Sequence, residues 1–75
     1  MRMRTPRTNC VGFDDLHRLA TGRPLTEVEA RELRARPQAE INDWVRVRAA
    51  ETLGQVEVED RVGDDGVVYT AFWLA

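Results

Sequence analysis

The apolar positions of this chain change period once, and the change divides it into a helical part and a strand part. Between residues 13 and 53 they recur every three or four residues; over Val56–Val62 they alternate with charge, and over Val67–Leu74 they run nearly unbroken. Phe13, Leu16, Leu19 and Ala20 form the first helical stripe and predict a helix over about Phe13 to Ala20. Asp14 and Asp15 occupy its first turn, where the helix dipole favours negative charge, and Gly22 supplies its stop. Pro24 bars any continuation. Residues 26–35 then read as a second helix. Thr26-Glu27-Val28-Glu29 is a capping box, in which the Thr26 hydroxyl and the Glu29 carboxylate accept from each other's backbone amides. Leu25 and Ala30 make a hydrophobic staple, and Val28, Ala30 and Leu33 are expected to face inward.

Residues 37–53 admit two readings. As a helix, Pro37 opens it, Ile41, Val45, Ala49 and Leu53 form one stripe, Trp44, Val47 and Ala50 form another, and Gly54 ends it. As a strand, Val45-Arg46-Val47-Arg48 alternates and pairs with Val56-Glu57-Val58-Glu59, setting Arg48 opposite Glu57 and Arg46 opposite Glu59. The Pro start, the Ala-Ala-Glu segment and the Gly stop favour the helix. Val56–Val62 and Val67–Leu74 are strands joined by a Gly-Asp-Asp-Gly turn. Pairing Val62 with Val67 puts Val58 opposite Ala71 and Val56 opposite Trp73. The last strand is apolar on both faces and requires cover on both, or exposes an apolar edge to a partner. The expected fold class is α+β: three short helices followed by a C-terminal β-hairpin. The alternative is two helices packed on a three-stranded antiparallel meander.

Seventy-five residues make one domain with a small core. Residues 1–9, with Arg2, Arg4, Arg7 and a Pro, are expected to be a flexible basic arm, leaving 10–75 as the folded domain. The single Cys10 excludes an internal disulfide and reads as a small apolar filler. No apolar run is long enough to span a membrane, and the expected location is the cytoplasm. The net charge of −2 conceals an asymmetry. Residues 1–48 hold ten Arg against seven acids, and residues 49–75 hold one Arg against six. There is no Lys, a bias that suits phosphate or carboxylate recognition and that GC-rich coding also produces.

The order helix, turn, capped helix, helix ending in Leu-Gly and hairpin resembles winged helix-turn-helix domains. Gly22-Arg23-Pro24-Leu25-Thr26-Glu27-Val28-Glu29-Ala30-Arg31-Glu32-Leu33 is similar to the opening of the middle helix in small phage helix-turn-helix proteins. Tyr69-Thr70-Ala71-Phe72-Trp73-Leu74 corresponds to the end of their wing. The resemblance covers about residues 13–75 and implies DNA binding in phage or mobile-element gene control. Two features depart from it: the wing tip, Asp64-Asp65, is acidic, and Glu40 and Asp43 stand near the start of the presumed recognition helix.

On the DNA reading, Gln38, Asn42 and Arg46 face the major groove, Arg31, Arg34 and Arg36 meet phosphates, and Arg2, Arg4 and Arg7 follow the duplex. The alternative is a protein-binding inhibitor or adaptor on the same scaffold, of the kind a phage uses against a host defence (anti-CRISPR-like) or transcription complex. Trp44, Val47, Asp64, Asp65 and Phe72 would then form the interface, and a homodimer would use the same surface. Catalysis has little support. His17 stands alone and is expected at the surface or rim. No metal-ligand spacing, phosphate-cradling Gly loop or nucleophile–base set occurs, so neither a cofactor nor a small-molecule substrate is expected.

Overall fold

The computed structural model describes residues 12–75. The basic arm expected over 1–9, and Cys10, lie outside the described residues. Three helices, α1 (Phe13–Thr21), α2 (Glu27–Arg34) and α3 (Gln38–Glu51), precede an antiparallel hairpin of β1 (Val56–Val62) and β2 (Val68–Leu74). The fold is therefore α+β, and residues 45–48 are helical rather than a third strand. Within Val45–Arg48 only Val45 turns into the core, so the alternation that suggested a strand has no buried face to serve.

Local chemistry sets the helix ends. The Glu29 amide donates to the Thr26 hydroxyl at 3.1 Å, and the Thr26 amide donates to Glu29 Oε1 at 3.0 Å, completing the capping box. The Leu25 amide donates to Asp14 Oδ1 at 2.9 Å, which ties the interhelical link to the start of α1. After α3 the chain reverses through two residues of positive φ, Leu53 at 56° and Gly54 at 92°. Leu53 thus leaves the stripe in which it was expected and is 91% exposed.

The core is small and centred on α3. Leu16, Val45, Ala49 and Val56 are buried together, with Phe13, Ile41, Trp44 and Phe72 packed around them. The two stripes of α3 fare differently. Val45 and Ala49 are buried and Trp44 is half-buried, but Val47 and Ala50 remain exposed. On α2 only Leu33 is buried; Val28, expected to face inward, is exposed.

The hairpin register differs by one residue from expectation. Val62 pairs with Val68, Val58 with Phe72 and Val56 with Leu74. The cause is the turn. The Gly66 amide donates to the Gly63 carbonyl at 2.9 Å, the Gly63 amide to the Val67 carbonyl at 2.9 Å, and Gly66 takes φ 81°. This is a three-residue loop over 64–66 closed by a left-handed glycine, where a four-residue loop was expected. A one-residue slip exchanges the faces of a strand. Phe72, Thr70 and Leu74 therefore share the α3 side with Val56 and Val58, while Trp73, Ala71 and Tyr69 stand with Glu57, Glu59 and Arg61 on the wet side. Trp73 is sheathed there by its neighbours: its Nε1 donates to Glu57 Oε1 at 3.1 Å, and the Arg61 guanidinium lies 5.7 Å from the ring centre.

One side chain fastens the hairpin to α3. Asn42 is 4% exposed. Its Nδ2 donates to the Val68 carbonyl at 2.7 Å, and its Oδ1 accepts from the Thr70 amide at 3.0 Å and from Gln38 Nε2 at 2.9 Å. The bonds between 63 and 67 and between 55 and 75 fix the ladder phase. In that phase the N–H and C=O groups of residues 68 and 70 point away from β1. Asn42 thus holds the outer edge of β2 at Val68 and Thr70 as a neighbouring strand would. Removing its amide leaves the buried Thr70 donor and the part-buried Val68 acceptor without these partners. Asn42→Ala is expected to cost about 2 kcal/mol of unfolding free energy, and Asn42→Asp to destabilise as well because the donor to Val68 is lost. Urea unfolding checks both; wild-type stability in Asn42→Ala would refute the clamp.

Candidate binding surfaces

The face of α3 expected to read DNA is turned toward the hairpin. Asn42 is buried against β2, and Gln38 is half-buried and engaged with it. Arg46 Nη1 donates to Asp43 Oδ1 at 2.8 Å, and Nη2 reaches both oxygens of Asp60 at 3.0 and 2.9 Å. The Thr70 hydroxyl donates to the same Asp60 at 2.7 Å. With the Thr70 hydroxyl and then Arg46 holding its charged form, the Asp60 carboxyl titrates below its ordinary value. Of the three predicted base contacts, Asn42 is inaccessible, and Gln38 and Arg46 already have protein partners. The outer side of α3 offers Ala39, Glu40, Asp43 and Val47 instead.

Arg31, Arg34 and Arg36 stand differently. All three are exposed, and among the described residues none forms a salt bridge, whereas Arg18, Arg23, Arg46, Arg48 and Arg61 all do. Arg31 and Arg34 border a groove between the start of α1 and α2, floored by Phe13, Leu25, Ala30 and Leu33. Their place in the last turn of α2 is also where the helix dipole favours cations. Arg2, Arg4 and Arg7 lie outside the described residues.

Two of the five predicted interface residues serve the core. Trp44 meets Phe13 edge-on at 5.7 Å, and Phe72 stacks on Phe13 at 5.7 Å. His17, expected at the surface or rim, is 4% exposed. Its ring lies parallel to Trp44 at 6.3 Å. Its Nδ1 is 2.8 Å from the Arg23 carbonyl, which can only accept, so Nδ1 carries a proton and donates. His17 is a structural residue that ties α1 to the link before α2. Among the described residues no group of His, Cys, Asp and Glu side chains is placed to hold a metal ion. Likewise, no described helix is long and apolar enough to cross a membrane.

The hairpin tip divides its two acids. Asp65 Oδ1 accepts from the Val67 amide at 3.0 Å, and Oδ2 accepts from the Tyr69 hydroxyl at 2.9 Å. The Val67 amide, and then the Tyr69 hydroxyl, hold the Asp65 carboxyl below its ordinary value. Asp65 therefore builds the turn, while Asp64 is exposed. Around the tip the last strand, expected to need cover on both faces, is partly uncovered, and Val58 and Val62 of β1, which the residue pattern did not mark, are exposed beside it. Val62 is 70% exposed and its partner Val68 43%, with Val58, Val67 and Tyr69 also exposed. The signal was available in outline. Val62 adjoins the turn, and α3 spends its hairpin-facing residues on Asp60, Val68 and Thr70, short of the tip. Val47 is exposed on a separate patch with Arg36, Glu40 and Asp43.

One electrostatic site bears on stability. Glu29 accepts from both terminal nitrogens of Arg23, at 3.2 and 3.4 Å, and from the Thr26 amide. The Arg23 bond first, and the amide second, pull its pKa down from 4.5 to about 2. A depressed carboxyl contributes stability that is fully present above its unfolded pKa and is lost as pH falls through the folded one. Glu29 is thus expected to titrate near pH 2 by carbon-13 NMR, and its share of stability to fade from about pH 4.5 downward. In Glu29→Gln that part of the acid dependence should disappear. No family model, curated protein or solved structure matches the chain.

Proposed function

We propose that this chain is a protein-binding module, an inhibitor or adaptor whose working surface is the hairpin. One observation carries the reading: Val58, Val62 and Val68 stand exposed together on the α3 side of the distal hairpin, with Tyr69, Glu57 and Glu59 exposed on its other face and Val67 and Asp64 at the turn. Exposed apolar surface of this kind, rimmed by charge, marks a place where a protein partner excludes water. The engagement of Asn42 and Arg46 with the hairpin supports the same reading from the other side, because it withdraws the side chains a DNA-reading helix needs. The module would act by occupying a surface of its partner. The resemblance to small phage proteins is consistent with a target in a host defence or transcription complex.

A second reading keeps DNA as the partner, and one observation favours it: Arg31, Arg34 and Arg36 are exposed and form no salt bridge among the described residues. On that reading the duplex would be held by its phosphates from α2 and the link to α3, without base contacts from Asn42. Replacing any one of these arginines by Ala would then lower the salt dependence of binding by about one unit of slope.

Affinity capture from cells that produce the protein separates the two. Val62→Asp changes an exposed side chain and should leave folding intact while abolishing capture of the partner. Val47→Asp, on the separate α3 patch, should capture it normally. Equal capture by the wild type and Val62→Asp would refute the hairpin surface. Duplex retardation at low salt that weakens in Arg31→Ala would favour the second reading.

A further inference from the structure

The hairpin has two outer edges, and they are treated differently. On β2, Asn42 takes the Val68 carbonyl and the Thr70 amide. On β1, the ladder phase turns the N–H and C=O groups of Val58, Asp60 and Val62 away from β2. At the near end of β1 the Val56 amide donates to the Thr52 hydroxyl at 3.2 Å. Beyond it, no other described residue hydrogen-bonds these outward groups. The edge is also open in its side chains. Val58 is 39% and Val62 70% exposed on the α3 side, and Glu57 and Glu59 are exposed on the other.

We propose that the outer edge of β1 is a strand-addition site for an extended segment of a partner protein in which apolar and basic residues alternate. The proposal rests on the protein-binding reading and names the chemistry of that partner. Backbone bonds to Val58, Asp60 and Val62 supply the affinity, and alternate side chains supply the selection. An added strand sets every second residue beside Val58 and Val62, where an apolar side chain completes the cover. Its intervening residues stand beside Glu57, which accepts from Trp73 Nε1, and Glu59, which holds Arg61 Nε; both carboxylates stay exposed, so Arg or Lys is favoured beside them and an acid is repelled. Asp60 asks nothing of the newcomer, because Arg46 and Thr70 already hold it.

The chain contains a segment of the required pattern. Val45-Arg46-Val47-Arg48, laid as a strand, would put Arg48 opposite Glu57 and Arg46 opposite Glu59. The fold draws this segment into α3, so among the described residues the edge has no such complement. A second copy fits less well. Full antiparallel overlap of two β1 strands, centred on Glu59, sets Glu59 against its own copy and Val58 beside Asp60. The register one residue along, centred on Asp60, pairs Val58 with Val62 and Glu59 with Arg61 but sets Asp60 against its own copy. A basic strand avoids both carboxylate contacts; slowing of the three amides on dimer formation by the full chain without peptide would overturn this choice of occupant.

Residue-resolved amide exchange with the full chain tests the proposal, using a short capped peptide of alternating valine and arginine as the probe. The Val58, Asp60 and Val62 amides should slow by about tenfold or more at saturating peptide, with Thr70 unchanged. The effect should weaken in high salt and be absent for the same peptide with glutamate in place of arginine. Proline is tolerated on an edge strand where the amide faces solvent, so Val62→Pro should stay folded and lose the response. Unchanged exchange at all three amides with millimolar peptide would overturn strand addition. If Val62→Asp still abolishes partner capture in that case, the strand-addition mode falls alone and the broader protein-binding reading stands.

Discussion

The Asn42 carboxamide occupies the place that the peptide of a neighbouring strand would take beside β2. A two-stranded hairpin is marginal on its own, and its register slips easily without a fixed partner. Here the partner is one side chain on α3, donating to the Val68 carbonyl and accepting from the Thr70 amide. These two bonds admit one register. They place Thr70 beside Asp60, where its hydroxyl bonds the carboxylate that Arg46 also holds. They place Val56 and Phe72 over Val45, Ala49 and Phe13. Buried Asn42, the Arg46–Asp60 pair and the apolar core thus form one contiguous contact between α3 and the hairpin.

The same contact decides what the molecule can offer a partner. An α3 helix that reads a groove must present its polar residues outward, and Asn42 and Arg46 are turned toward the hairpin. What remains outside is acidic and apolar on α3 and the hairpin, with exposed arginines at and just beyond the end of α2. Because α3 serves β2 and stops short of the tip, no described residue covers the outward backbone groups of Val58, Asp60 and Val62, and Val62 and Val68 keep exposed side chains. The functional reading follows from this asymmetry of cover and not from any catalytic arrangement.

Much of the fold was legible in the sequence because its signals are local. The Thr26–Glu29 box, the Gly22 stop, the Pro37 start and the Gly63–Gly66 turn each act within a few residues, and the helix-then-hairpin order follows from them. Features set by distant contacts were not. The loop length between Gly63 and Val67 depends on where Gly66 places its left-handed turn, and one residue there exchanged the faces of Phe72 and Trp73. Asn42 looks like an ordinary polar helix residue until the hairpin register brings Val68 and Thr70 to it. His17 reads as a surface residue until Trp44 and the Arg23 carbonyl enclose it. In each case the missing information was a contact across the chain, which no local pattern encodes.

Helix α3 holds the β2 edge at Val68 and Thr70 and leaves the β1 edge untouched, and hydrogen exchange on the free protein reads both edges at once. The Thr70 amide, shielded on the outer edge by Asn42, should exchange only on global unfolding. The Val58, Asp60 and Val62 amides, equally outward on the other strand, should exchange far faster. Thr70 exchanging as fast as those three would contradict the clamp, because the hairpin would then be held by something other than Asn42.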